Sequence, residues 1–236
     1  MSELRLVALA SKAMVQRGDD LVTLLLEAME LAGEDLRHHD LVIVTSKVVS
    51  KSEGQVVAFD GTEAHKVAIV EGESKRILRR RGTLRITETR HGFINANAGV
   101  DLSNTDDGTA VLLPKDPDLS ARRLRAVLLQ RTGVDVAVVI TDTFGRVWRR
   151  GVTDVALGSA GLKPILDLRG SYDANGRLLE ATEVAIIDEI AGAANLVLHK
   201  AAATPFALVR GLDESFFGVG SVRDDIVRQK NEDLFR

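Results

Sequence analysis

The sequence predicts an α+β fold with mixed, largely antiparallel sheets and packed helices, in a single domain of residues 1–236. Strand-like and helix-like segments do not alternate regularly along the chain, which disfavours a doubly wound parallel sheet. Residues 83–89 (TLRITET) alternate apolar and polar side chains, as a half-exposed antiparallel strand does. Residues 134–141 form an apolar run rich in β-branched side chains, which is typical of a buried strand.

The first half of the chain contains two helical patterns and one buried strand. Asp19 and Asp20 are suited to cap a helix whose pattern ends near His38 and His39. Residues 40–51 (DLVIVTSKVVSK) predict a buried strand that runs into a polar loop. Residues 63–80 have a helical pattern, so the basic run at residues 75–81 (KRILRRR) is interpreted as a solvated helix end.

The second half begins with a helix that starts at Asp118 and Ser120 and ends at Gly133. The strand at residues 134–141 follows. The remaining predicted elements are strands at 152–161, 163–170 and 205–211, a long helix at about 180–200, and a polar terminal helix at 224–235.

Composition and charge exclude several classes of protein. A net charge of −3 and a pI near 6.0 disfavour nucleic-acid binding, because affinity for a phosphate backbone comes from an excess of basic residues. The chain has no cysteine, which excludes disulfides, thiolate catalysis and zinc–thiolate sites. The N-terminal segment lacks the features of a signal peptide, and no apolar run approaches the ~20 residues that span a bilayer. We therefore expect a cytoplasmic protein that binds neither membrane nor nucleic acid.

The most informative segment is VDVAVVITDTFGRVWRRGVTDVALGSAG at residues 134–161. A buried apolar strand does not readily hold a carboxylate in mid-span, so we expect Asp142 where the strand reaches the surface. One carboxylate is a poor magnesium site, but two from different loops, with phosphate oxygens and water, make a good one. Asp101 is the natural second acid. Arginine side chains on the following loop are suited to hold carboxylates or phosphates through paired hydrogen bonds; these are Arg146, Arg149 and Arg150.

Three further clusters allow both a functional and a structural interpretation. Residues 45–51 (TSKVVSK) could bind a phosphate, or could be a strand end with solvated lysines. Residues 95–104 could hold a cation or a nucleotide, or could form a turn in which Asn and Asp bond to their own backbone. The acidic face of the 180–200 helix could point into a site, although such faces are usually solvated.

Four blocks of sequence, in this order and at these separations, resemble one known family. The blocks are VIVTSKVVSKSEG, RHGFINANAGVDLSN, LLPKDPDLSARRLR and ITDTFGRVWRRGVTDVALGSAGL. The chain resembles the coenzyme F420-0:L-glutamate ligases, also called F420 γ-glutamyl ligases, from Gly18 to the C-terminal Arg236. It is similar to the stand-alone type, which has no appended nitroreductase-like domain.

The resemblance implies a fold, a reaction and an assembly. The fold would be an intertwined, two-lobed α+β subunit that forms a homodimer. The enzyme would join L-glutamate to coenzyme F420-0, and further γ-linked glutamates after it, while GTP is split to GDP and phosphate. Mg²⁺ or Mn²⁺, as two ions, would be required, and K⁺ is a further candidate.

The resemblance also implies site residues. Those matching the family's metal positions are Asp101, Asp142 and Thr143. Those matching its GTP positions are Lys12, Ala13, Met14, Val15, Ser46, Lys51 and Asn104. The expected mechanism is metal-assisted formation of an acyl phosphate, with Arg146, Arg149 and Arg150 receiving the acidic substrates.

The chain departs from the family pattern at three places. Ala13 and Val147 replace prolines, and residues 200–205 (KAAATP) replace a loop that is more polar in the family. These changes leave two alternatives open. One is a related nucleotide-dependent amino-acid ligase that acts on a different acid, and the other is a non-catalytic GTP-binding paralogue.

Overall fold

The computed structural model describes residues 3–11, 14–103, 107–198 and 203–234. The helices in these ranges are α1 (Leu21–Ala32), α2 (Ser46–Ser52), α3 (Glu63–Glu73), α4 (Pro117–Thr132), α5 (Ile186–Asn195) and α6 (Val222–Asp225). The strands are β1 (Arg5–Leu9), β2 (Leu41–Thr45), β3 (Val56–Ala58), β4 (Ser74–Arg81), β5 (Leu84–Thr89), β6 (Ile94–Ala96), β7 (Thr109–Val111), β8 (Ala137–Gly145), β9 (Val152–Ala160), β10 (Leu166–Asp167), β11 (Glu183–Val184) and β12 (Phe206–Arg210). Their irregular order and mostly antiparallel pairing confirm the predicted α+β class. Within the described ranges, no helix is long and apolar enough to cross a membrane.

The central sheet holds the core and has the strand order β1-β12-β2-β8-β9. Strands β2 and β8 are parallel to each other, whereas the other neighbours in this sheet are antiparallel. The side chains of residues 41–44 and 137–140 are buried, as expected for central strands that are covered on both faces. Because β2 and β8 are parallel, their carboxyl ends meet at one edge of the sheet.

Three smaller sheets surround this core. Strand β3 pairs with β7, β10 pairs with β11, and β4, β5 and β6 form a three-stranded sheet. All the pairings in these sheets are antiparallel. The predicted strand at residues 83–89 is confirmed as β5, and the predicted strand at 205–211 is confirmed as β12.

Helix α4 packs across β8 and β9 at a point where only glycine fits. A Cβ atom at Gly158 would lie 2.2 Å from the carbonyl carbon of Pro117. The side chain of Asp116 accepts a hydrogen bond from the Leu119 N–H and caps the helix. The helix therefore begins slightly earlier than predicted, while its predicted end at Gly133 is confirmed by a left-handed cap with φ of 71°.

Helix α1 is shorter than predicted. Asp20 caps it as expected, because its carboxylate accepts hydrogen bonds from the first turn. The helix ends at Gly33, which adopts φ of 67° and donates its N–H to carbonyls of the last turn. The prediction that it continues to His38 was wrong, because the glycine cap ends the helix before the apolar pattern does.

Two segments have a different secondary structure from the one predicted. Residues 46–52, predicted as a polar loop, form helix α2 directly after β2. Residues 74–81, predicted as the end of a helix, form β4, which pairs with β5. Lys75 and Arg76 lie 3.4 and 3.1 Å from the buried carboxyl of Glu88 on β5. Pairing with the next strand in a hairpin thus overrides the local helical pattern.

The two C-terminal helices are also shorter than predicted. Helix α5 covers Ile186–Asn195 rather than 180–200. In place of a terminal helix at 224–235, the chain forms the single turn α6 and a 3₁₀ turn at Lys230–Glu232. The C-terminal segment is polar and lacks a continuous apolar face, so it has little to stabilise a longer helix.

Candidate functional site

The candidate site lies where β8 extends beyond its parallel neighbour. Strand β2 ends at Thr45, which pairs with Thr141. Strand β8 continues to Gly145, and its residues after Thr141 pair only with β9. The prediction that the strand ends before Asp142 was wrong, since this residue lies within β8. A carboxylate is tolerated there because β2 no longer covers that part of the strand. Helix α2, which begins at Ser46, lies beside it instead.

Asp142 is partly buried at this position. Burial, together with the nearby carboxyls of Asp154 and Asp101, raises the pKa of Asp142 from 3.8 to about 7. The backbone N–H of Thr143 and the hydroxyl of Ser46 donate hydrogen bonds that oppose the shift. The structure therefore brings together the two acids that the sequence selected, although 41 positions separate 101 from 142.

Asp101 reaches the cluster from the other side through a short backbone bridge. Its N–H and C=O each bond to Val111 at 2.9 Å. The carboxylate Oδ1 accepts the backbone N–H and the hydroxyl of Ser103, both at 2.7 Å, and Oδ2 lies 2.6 Å from the Lys47 ammonium. Burial alone raises the pKa of Asp101, but these bonds outweigh it, so its pKa lies below the usual value. Asp101 is thus ionised and fixed in position.

Asp154 is a third acid of the cluster, which sequence reasoning missed. It lies opposite Thr143 in the β8–β9 hairpin and is only 5% exposed. The Thr143 hydroxyl donates to Asp154 Oδ1 at 2.6 Å. The predicted strands at 134–141 and 152–161 did not reveal this pair, because a register shift between Ile140 and Thr141 moves the pairing by one residue and so places Asp154 opposite Thr143.

The side-chain atoms of this cluster that can coordinate a cation are all oxygens. The ammonium of Lys47 also lies in the cluster, but it is itself a cation. Carboxylate and hydroxyl oxygens are the ligands that Mg²⁺ and related hard cations prefer. In the described part of the chain, however, no group of three or more His, Asp or Glu side chains is arranged so that it could hold a metal ion. Asp101, Asp142 and Asp154 therefore do not form a three-carboxylate metal site, and a cation bound here would need further ligands such as phosphate oxygens and water.

A basic pocket of about 210 Å³ borders this cluster through Val111, the backbone partner of Asp101. It contains two predicted nucleotide-binding residues, Val15 and Lys51, which are 5% and 8% exposed. None of its lining residues in the described chain is acidic; they are Val15, Gln16, Arg17, Lys51, Gly54, Val56, Thr109 and Val111. A cation-lined pocket beside a carboxylate cluster can bind an anion whose oxygens also bind a metal ion.

The other predicted nucleotide-binding residues are in different positions. Ser46 is buried and bonds to Asp142, whereas Met14 is 62% exposed next to Val15. Lys12, Ala13 and Asn104 lie outside the described residues, as do residues 200–202 of the 200–205 segment.

The three predicted arginines lie on the exposed loop between β8 and β9. Arg146 donates to the Arg150 carbonyl at 3.2 Å, and the backbone N–H of Arg149 donates to Arg146 at 3.3 Å. None of the three forms an ion pair with a carboxylate of the described residues. Trp148, on the same loop, is 91% exposed and has φ of 66°.

The acidic face of the 180–200 segment has a structural role at one position. Asp188 in the first turn of α5 accepts the Ala156 N–H at 2.9 Å and so ties this helix to β9. Burial raises the pKa of Asp188 above its usual value.

A larger cavity of about 350 Å³ lies near the opposite end of the β8–β9 hairpin. Its one lining carboxylate among the described residues is Asp135, which lies 2.6 Å from Arg125 in an ion pair. This cavity lacks a cluster of acids.

Comparison with known proteins identifies the family. A family model described as F420-0:Gamma-glutamyl ligase matches residues 11–211. The chain is 38% identical to the coenzyme F420:L-glutamate ligase of Methanothermobacter thermautotrophicus, covering 98% of each protein. It is 39% identical to the enzyme of that name from Methanopyrus kandleri, covering 99% of this chain and 98% of the relative, and 38% identical to the one from Methanocaldococcus jannaschii, covering 84% of each. The chain therefore belongs to the F420-0:γ-glutamyl ligase family.

Proposed function

We propose that this protein is a ligase that joins L-glutamate to coenzyme F420-0 and uses GTP, giving GDP and phosphate. Membership of the family supports the ligation of glutamate to this acceptor. The GTP-dependent part of the proposal rests on one observation. The acids Asp101, Asp142 and Asp154 lie beside a pocket lined by Arg17 and Lys51.

The reaction needs a source of free energy because a carboxylate is a poor electrophile. In the proposed route, an oxygen of the acceptor carboxylate attacks the γ-phosphorus of GTP, and GDP leaves. The amine of glutamate then attacks the acyl carbon, loses a proton, and forms an amide as phosphate departs. Each step moves negative charge between oxygens, so the protein has to neutralise charge and exclude competing water.

A divalent cation is proposed because the Asp142 carboxyl, whose pKa is raised, lies near that of Asp101, whose pKa is lowered, and a cation between them would offset the repulsion between the two acids. Asp101, Asp142 and Thr143 would hold Mg²⁺ or Mn²⁺, as one or two ions. When bound, the cation would supply charge neutralisation to the phosphate oxygens.

Side chains around the acids have separate roles in this proposal. Lys51 would contact phosphate oxygens in the basic pocket, and the Ser46 hydroxyl would orient the Asp142 carboxyl to which it donates. Thr143 is held in place by its bond to Asp154. These groups are positioned before substrate binds, which reduces the reorganisation needed during the reaction.

The loop arginines are proposed to bind the acidic parts of the substrates. Both glutamate and the acceptor carry carboxylates, and the acceptor also has a phosphodiester. Arg146, Arg149 and Arg150 are exposed, so their guanidinium groups are accessible for paired hydrogen bonds to such groups.

Four further features belong to the same proposal. They are repeated addition of γ-linked glutamates, assembly as a homodimer, a cytoplasmic location and use of K⁺. The family resemblance supports the first two, and the third is the expectation drawn from the N-terminal segment and the apolar runs of the sequence.

The test is to incubate the protein with F420-0, L-glutamate and Mn²⁺, with either GTP or ATP, and to weigh the products by mass spectrometry. We expect a product heavier by one or more glutamate residues with GTP, and little with ATP. An Asp142→Ala variant serves as the control and should give no product. If the wild-type protein forms no glutamylated product with either nucleotide, the proposed function is wrong.

A further inference from the structure

We propose that Trp148 stacks against the planar ring system of the acceptor, while the arginines of the same loop hold the acceptor's phosphodiester. This inference rests on the proposed function for the identity of the acceptor, coenzyme F420-0, whose deazaflavin ring is flat and aromatic. The sequence resemblance assigns no role to Trp148.

The first supporting observation is that the loop between β8 and β9 presents its tryptophan to solvent. Trp148 is 91% exposed, and its neighbours Val147 and Val152 are 68% and 61% exposed. Tryptophan is highly buried on average in folded proteins, because it carries a large apolar surface. Phe144, near the end of β8, does pack in the core, where its ring lies 6.0 Å from that of Phe93. The hairpin thus buries one aromatic ring and leaves the other accessible to a ligand.

The second observation is the backbone conformation of Trp148. Its φ is 66°, in the left-handed region that bulky residues rarely adopt. Strained conformations of this kind cluster at active sites and ligand-binding positions. Tryptophan at this position therefore costs more than glycine or asparagine would, and a ligand stacked on the indole would offset that cost.

The third observation is the position of the loop relative to the acids. Gly145 pairs with Val152, so residues 146–151 form the end of the β8–β9 hairpin. Asp142 lies three residues before Gly145 on the same strand, which corresponds to about 10 Å. F420-0 is a long molecule whose reacting carboxylate is at the opposite end from its ring. An acceptor with its carboxylate at Asp142 would therefore extend along β8 and bring its ring to Trp148.

The fourth observation is that the loop is positively charged and lies apart from the pocket proposed for the nucleotide. Arg146, Arg149 and Arg150 flank Trp148 and form no ion pair with a carboxylate of the described residues. A phosphodiester between the carboxylate and the ring of the acceptor would meet these guanidinium groups. None of the described residues that line the basic pocket belongs to the β8–β9 hairpin. The ring at Trp148 is thus that of the acceptor rather than the guanine of GTP.

The experiment exploits the fact that the chain has one tryptophan, so that tryptophan fluorescence reports on position 148 alone. Emission is measured during titration with F420-0, with GDP, or with 5-deazariboflavin, which has the ring but no phosphodiester. N-acetyltryptophanamide is titrated in parallel to correct for absorption of light by the ring. We expect saturable quenching by F420-0, quenching at higher concentrations by 5-deazariboflavin, and none by GDP.

Steady-state kinetics test the same contact by a second route. For Trp148→Ala we expect the KM for F420-0 to rise by about 5- to 100-fold, as for the loss of one stacked ring, with kcat little changed. Trp148→Phe should lose less, because it retains an aromatic face. Tyr172→Ala is the matched control, since its ring is also exposed, at 70%, and this variant should behave as wild type does.

The outcomes separate this inference from the proposed function. If F420-0 leaves the emission unchanged in protein that forms glutamylated product, Trp148 does not contact the ring and the inference is wrong. Quenching by GDP but not by F420-0 would place guanine at Trp148 and would also overturn it. A Trp148→Ala variant that sediments as a smaller species than wild type would do the same, because the indole would then lie between two copies of the chain. Saturable quenching by F420-0 in a protein that forms no product would support the ring site and overturn the proposed function.

Discussion

The ammonium of Lys47 lies 2.6 Å from Oδ2 of Asp101, in the position where a cation bound to that carboxylate would compete with it. The same ammonium also donates to the Ser103 carbonyl at 2.6 Å. Helix α2 thus supplies the charge that keeps Asp101 ionised in the metal-free protein. This arrangement leads to the first prediction.

Replacing Lys47 by Gln should strengthen the binding of Mn²⁺ to nucleotide-free protein by several-fold, because the ion no longer displaces an ammonium from Asp101. The effect on stability should be small, at about 0–1 kcal/mol, since the pair is partly exposed. Calorimetric titration with Mn²⁺ measures the first effect and urea unfolding the second. Unchanged or weaker Mn²⁺ binding in Lys47→Gln would show that Asp101 does not hold the cation.

Replacing Asp142 by Asn should stabilise the metal-free protein at alkaline pH. Because the pKa of Asp142 is raised from 3.8 to about 7, the folded state binds more protons than the unfolded chain between these values. The stability that the protonated carboxyl provides is thus present below pH ~4 and is lost as the pH rises through ~7. Unfolding with urea in a chelator should show the variant more stable than wild type at pH 8, by on the order of 2 kcal/mol.

Asp167 is the matched control for that experiment. Hydrogen bonds from the side chain and backbone of Arg169 lower the pKa of Asp167 to about 2, so the folded protein favours the charged form of this residue. A neutral side chain at this position would not increase the stability of the protein. Asp167→Asn should therefore not stabilise the protein at pH 8. If Asp142→Asn behaves in the same way as this control, the pKa of Asp142 is not raised by burial and the neighbouring carboxyls.

Replacing Asp154 by Ala should lower kcat by about 10- to 100-fold, with a small effect on the KM for GTP. The reason is that Asp154 accepts the Thr143 hydroxyl at 2.6 Å and so fixes the orientation of that oxygen. Asp154→Asn keeps an acceptor and should retain more activity than Asp154→Ala. Equal losses in the two variants would point to the charge of Asp154, rather than to its position, as the feature that matters.

Replacing Asp118 by Ala should lower the free energy of unfolding by about 3 kcal/mol, because its buried carboxylate accepts three backbone hydrogen bonds. The donors are the N–H groups of Ser159, Val222 and Arg223, at 2.8, 3.0 and 3.1 Å. Asp173 is the matched control, since it also accepts two backbone hydrogen bonds but lies in an exposed turn. We expect Asp173→Ala to cost less than about 1 kcal/mol. Comparable losses by urea unfolding would contradict the buried role of Asp118.

The sequence predicted correctly those parts of the fold that depend on local chemistry. The cap at Asp20, the end of α4 at Gly133 and the strand β5 follow from residue types and spacing alone. It failed where pairing between strands overrides the pattern of a single segment. Residues 75–81 have a helical pattern when taken alone, but they form a strand because they pair with β5 across a two-residue turn and because Glu88 lies beside two of their cations.

For the site, the sequence by itself selected Asp101 and Asp142, and the order of four motifs indicated the family. Only the tertiary structure decided what surrounds these acids. The parallel pairing of β2 with β8 brings Ser46 to Asp142, and the register of β8 with β9 adds Asp154. The bonds between the Gly18 loop and α2 bring Arg17 to Lys51. The physical reason is that burial and neighbouring charge, which set the pKa of a carboxyl and the affinity of a pocket, arise from contacts between segments far apart in the chain.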